Sequence, residues 1–89
     1  KWVEISFDPN KNARNIEERN LPFPLVTELD WDTARIVEDN RDDYPERRFV
    51  AAEYLGERLH IVCYAHVKSG IRVISFRKVN EREVKAYEE

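Results

Sequence analysis

The 89-residue chain has one cysteine, two glycines, four prolines and two histidines. A lone cysteine, Cys63, excludes a disulfide framework within the chain and a cysteine-built structural zinc site. So little glycine and proline excludes collagen-like and low-complexity classes. Neither a glycine-rich phosphate loop nor an HExxH pattern is present. His60 and His66 are six residues apart in what reads as one strand, ~20 Å along it, too far to chelate one metal. No apolar run approaches the ~20 residues that span a bilayer, and no signal-peptide pattern is visible. The expectation is a cytoplasmic protein with no membrane contact.

What is present is aromatic and charged: two Trp, four Tyr and four Phe, with 42% hydrophobic and 37% charged residues. The aromatics supply the large apolar surfaces that disordered chains lack. The length suits one domain, residues 1–89, with one core. Net charge is −3, unevenly spread. Residues 1–20 are neutral, residues 21–46 carry two basic against eight acidic groups, and residues 47–89 carry nine basic against six acidic. The C-terminal half therefore offers a polyanion a locally basic surface.

Trp2–Phe7 alternates as a strand. Asp8-Pro9 is a helix start, with a capping carboxylate and a proline suited to the first turn. A helix over 9–20 follows, with Ala13 and Ile16 inward and Asn20 as a left-handed stop. A short helix after Pro22 and Pro24 carries Leu25, Val26 and Leu29. Strands are expected at 34–37, 47–55, 58–66 and 71–77, with tight turns at Gly56-Glu57 and Ser69-Gly70. Asn80 opens a last helix, in which Val84 and Tyr87 dock. The order β-α-α-β-β-β-β-α reads as α+β on a small antiparallel sheet.

Two-residue turns fix which side chains share a face. One face then carries Val50, Ala52, Leu59, Ile61, Cys63, Ala65, Ile74 and Phe76, and is expected to be core. The other carries Arg47, Glu53, His60, Tyr64, His66, Ser75 and Arg77. Such a face is either a plain solvated sheet or a site for a phosphodiester. Arginine would stabilise the charge on phosphorus, and His, Glu or Tyr would move the 2′-hydroxyl proton.

Several segments resemble one known family. Phe7-Asp8-Pro9-x-Lys11, then Asn15, is similar to the opening of BrnT-type toxins. Glu46-x-Arg48 begins a strand as theirs does. Ile71-Arg72-Val73-Ile74-Ser75-Phe76-Arg77-Lys78, followed by Glu81-Arg82 and Tyr87-Glu88, resembles their ending and is the most specific part. The resemblance implies a RelE-like ribonuclease toxin of a type II toxin–antitoxin system, which arrests translation and uses no metal or other cofactor. It implies a BrnA-like ribbon-helix-helix antitoxin as partner, RNA as substrate, and operator DNA only through the antitoxin. Arg77, Arg72, Tyr87, Lys11 and His66 are the catalytic candidates, with Arg77 first. Arg48, Arg47, Tyr64, Ser75, Lys78 and Arg82 are the substrate-binding candidates. The chain departs from the family at Glu18-Arg19-Asn20, where Lys-His-Gly is common. That missing histidine keeps a second reading open: a toxin-like binding module that has lost activity and acts only through its antitoxin.

Overall fold

A computed structural model describes residues 4–88, with the side chains of 4–80 and 82–85. Along the chain run β1 (Ile5–Phe7), α1 (Pro9–Arg19), a 3₁₀ helix (Phe23–Glu28), β2 (Arg35–Asp39), β3 (Arg48–Leu55), β4 (Arg58–Val67), β5 (Gly70–Lys78) and α2 (Glu81–Glu88). The five strands form one sheet in the order β1-β5-β4-β3-β2. The architecture is α+β, as the pattern indicated. The sheet is mixed rather than wholly antiparallel, because β1 runs parallel to β5. Residues 2 and 3 of the expected first strand lie outside the described residues.

Local chemistry accounts for α1. The Asp8 side chain accepts a hydrogen bond from the Asn10 amide at 2.9 Å, and Pro9 fills the first turn. Asn20 ends the helix at φ 54°, in the left-handed region. The expected inward face of α1 is absent: Ala13 is exposed and Ile16 is 41% exposed. Polar bonds hold the helix instead. Asn12 Oδ1 accepts from the Phe23 amide at 2.8 Å, while Asn15 Nδ2 donates to the carbonyls of Leu21 (2.8 Å) and Phe76 (3.0 Å).

The core lies on one face of the sheet, called inner below. Ala51, Val62, Tyr64, Ile71, Val73 and Phe76 pack there beneath Leu21, Phe23, Val26 and Leu29. Phe76 is core as expected, and Leu59 and Ala65 are buried too, but Val50, Ala52, Ile61, Cys63 and Ile74 are only half-buried and the main core lies on the other face of β3 and β4. The first hairpin pairs as expected, with Glu53 opposite His60 and Phe49 opposite Tyr64. The face it was expected to show to water, however, is the buried one. Its polar members have partners there: the Thr33 hydroxyl donates to Glu53, and His60 Nδ1 donates to the Arg58 carbonyl at 2.9 Å.

The second hairpin turns at Lys68-Ser69, one residue earlier than expected. Val67 then faces Gly70, and Tyr64 faces Val73. A β-bulge follows, because Cys63 faces Ser75 and Ile74 has no opposite number. The turn must end on a glycine for a steric reason: a Cβ at residue 70 would overlap the Glu4 carbonyl oxygen, which accepts from the Ile71 amide at 3.0 Å.

His60 yields a pH prediction. Its side chain is buried against the Phe76 ring, with centroids 5.4 Å apart. Burial pushes the imidazole below its ordinary value, and the charges of Lys78 and Arg58 push the same way. Below about pH 6.5 the unfolded chain therefore binds a proton that the folded chain refuses. Stability is full above that pH and falls as the pH drops toward the depressed folded value. Urea melts between pH 7.5 and 5 should show this slope, and His60→Leu should flatten it.

Candidate functional site

The face opposite the core, called outer here, is organised in rows across the strands. The first row reads Ser6, Arg72, Ala65, Arg48 and Asp39. The second reads Ser75, Cys63, Val50 and Val37, and the third Arg77, Ile61, Ala52 and Arg35. Strict alternation would set Arg72 and Arg77 on opposite faces. The bulge at Ile74 restores the phase, so Arg72, Ser75 and Arg77 project from one side. Arg72 and Arg77 face residues four apart in β4, so their rows are ~13 Å apart.

The first row holds the densest charge. Arg72 and Arg48 flank the small Ala65 from neighbouring strands. Glu46 joins them: its Oε1 accepts from Arg72 Nη2 and lies 3.8 Å from Arg48 Nε. The Arg48 guanidinium sits over the Tyr44 ring at 4.0 Å, and its buried Nε has no hydrogen-bond partner. At the row's end Arg41 grips the buried Asp39 through two bonds of 2.8 Å. These bonds outweigh the desolvation of the carboxyl and lower its pKa to about 2. The loop between β2 and β3 is thereby pinned beside the arginines.

In the third row Arg77 donates twice to Glu83 of α2, at 2.9 and 3.0 Å. Glu83 also closes a reciprocal cap, accepting from the Asn80 amide at 3.2 Å while its own amide donates to Asn80 Oδ1 at 2.8 Å. The Arg77 bond, with the Asn80 amide second, holds this carboxyl below the usual range.

A groove between α1 and β5 opens beside Ser75, lined by Lys11, Arg14, Glu18, Arg19 and Ile74 among others. Its cations are Lys11, Arg14 and Arg19 of α1, of which the sequence singles out only Lys11.

The other candidates lie elsewhere. His66 is exposed on the inner side, edge-on to Phe49 (4.8 Å) and Tyr64 (5.7 Å), away from Arg72 and Arg77. Tyr64 is core, 3% exposed, and burial raises its phenol. Arg47 lies over Phe49 at 5.4 Å and pairs with Glu38. Lys78 is exposed opposite His60 at the end of β5, and Arg82 is exposed on α2. Tyr87 belongs to α2, but its side chain is outside the described residues. Cys63, expected in the core, is half-buried on the outer face, and desolvation raises its thiol. That is the environment of an inert thiol rather than a nucleophile.

The family model of the ribonuclease toxin BrnT, of type II toxin–antitoxin systems, matches residues 7–83. The chain belongs to the BrnT family. A comparison with curated proteins finds no match. Membership makes this BrnT chain a ribonuclease toxin by family description, with an antitoxin partner and an RNA target. The match spans the Lys11 helix, the Glu46-x-Arg48 segment and the whole of β5, so the outer face of this BrnT chain lies within it. Among the described residues no helix is long and apolar enough to cross a membrane.

Proposed function

We propose that the chain is a metal-independent endoribonuclease of RelE-like type that acts in the cytoplasm, cleaves RNA from its outer sheet face and so arrests translation. A BrnA-like ribbon-helix-helix antitoxin neutralises it by covering that face. One observation carries the reading: the bulge at Ile74 gathers Arg72, Ser75 and Arg77 on one side of the sheet, beside the Lys11 groove. Attack of a 2′-oxygen on phosphorus needs positive charge where negative charge grows, and guanidiniums supply it. On this reading the scissile phosphate sits between Arg72 and Arg48, a part that register and family resemblance together gave to Arg77. Arg77, ~13 Å along, grips a neighbouring phosphate of the same strand. Exposed ion pairs are weak, so a phosphodiester competes with Glu46 and Glu83 for these arginines.

The test is direct. The purified chain, freed of antitoxin, should cut single-stranded RNA equally well with and without EDTA, and adding antitoxin should stop it. Activity that EDTA abolishes and magnesium restores contradicts the metal-independent part. No cleavage of any RNA favours the module that acts through its antitoxin alone.

A further inference from the structure

The proposed reaction needs a group to accept the 2′-hydroxyl proton, and the geometry points to Glu46 as that general base. This inference rests on the ribonuclease reading above. The histidines do not serve: His66 is on the inner side of the sheet, and His60 is buried. Among the described residues, other carboxylates near the arginines are committed to structure. Asp39 is buried beneath Arg41, Glu53 takes the Thr33 hydroxyl, and Glu83 completes the cap of α2 while binding Arg77.

Glu46 is placed differently. It stands on the loop just before β3, half-buried, with no helix end or core hydroxyl to serve. Its Oε1 contacts Arg72 and lies 3.8 Å from Arg48 Nε, so one carboxylate oxygen stands between two guanidiniums of the same row, from the strands on either side of β4. Beneath it lies Ala65, fully buried, so the carboxylate and the two guanidiniums close over a single methyl group. Tyr44 stacks on Arg48 and fixes the plane of its guanidinium. The buried Nε of Arg48 lacks an acceptor, which is unusual for so strong a donor. A phosphate oxygen arriving in the row supplies one.

The step balances without a co-reactant. The Glu46 carboxylate takes the 2′-hydroxyl proton as the O2′–P bond forms. Arg48 and Arg72 hold the charge on the equatorial oxygens. The P–O5′ bond breaks, giving a 2′,3′-cyclic phosphate. The leaving 5′-oxygen takes a proton from water, and Glu46 returns its own to water.

Glu46→Gln separates a base from a merely positioning residue, because the amide oxygen still accepts from Arg72 but cannot take the proton. Cleavage at saturating RNA should fall ~100–10,000-fold, the usual range for a lost acid–base group. Binding of a non-cleavable, fully 2′-O-methylated single-stranded RNA should be unchanged or tighter, because a negative charge has gone. A folded Glu46→Gln that cleaves at the wild-type rate overturns the assignment. So does a fall in RNA affinity that accounts for the whole loss of activity. Should the Gln variant fail to fold, Glu46→Ala is assayed with added formate. Restored cleavage supports a base in this position, and no restoration counts against it. A wild type that cleaves no RNA brings down the ribonuclease reading and this assignment together. A wild type that cleaves beside an undiminished Glu46→Gln brings down the assignment alone.

Discussion

Arg72→Ala should lower RNA cleavage ~100–1,000-fold at saturating substrate while the chain stays folded. Arg72 is exposed and shares the first outer row with Arg48, so its removal opens no cavity and frees only Glu46. The lost function is charge stabilisation on the attacked phosphate, a transition-state term that appears in kcat. Arg77→Ala should behave differently. With its guanidinium on a neighbouring phosphate, the variant binds RNA more weakly and loses about 0.7 from the slope of log affinity against log salt. Glu83→Gln provides the control, because it breaks the ion pair but leaves the Arg77 guanidinium in place. If Arg77 serves mainly to anchor α2, then Arg77→Ala and Glu83→Gln lose stability together and RNA affinity does not separate them. Single-turnover cleavage, filter binding at several salt concentrations and thermal melts distinguish these results.

Phe76→Ala should cost about 3–5 kcal/mol, a large share of the 5–15 kcal/mol that small domains possess. Phe76 is 1% exposed, stands opposite Val62 and faces the His60 ring. Truncation leaves a void walled by a sheet that is pinned by hydrogen bonds, including that from Asn15 to the Phe76 carbonyl. At ~4–8 °C per kcal/mol for a domain of this size, the melting midpoint should fall by well over 10 °C. Val50→Ala, on the half-buried outer face, should cost far less. Urea denaturation of both variants checks the assignment of faces: equal losses would mean that the core does not lie under the 3₁₀ segment alone.

That assignment marks where the sequence stops being legible. The capped helix at Asp8-Pro9, its stop at Asn20, and the first hairpin at Gly56-Glu57 follow from local chemistry that acts over a few residues. The choice of buried face does not. In β4 both sets of alternate positions are largely apolar, with Leu59, Ile61, Cys63 and Ala65 on one side and Val62 and Tyr64 on the other. Period-two reasoning then leaned on His60 and Glu53 as solvent-facing, yet each has a partner that makes burial tolerable. The bulge at Ile74 carries no sequence signal either, since Val73-Ile74-Ser75 would continue any regular strand. It decides the site all the same, by bringing Arg72 into line with Ser75 and Arg77. Glu46 was visible only as part of a motif, because its neighbours Arg48 and Arg72 are 24 residues apart in sequence and meet only across Ala65.

The most direct measurement uses RNA with a single 2′-deoxy nucleotide at the mapped cleavage position, compared with the all-ribose strand in EDTA. Cleavage by attack of the neighbouring 2′-oxygen predicts a 2′,3′-cyclic phosphate on the all-ribose product and no cut at the substituted position. Cutting of the deoxy-substituted strand at the same position, leaving a 5′-phosphate, would contradict it.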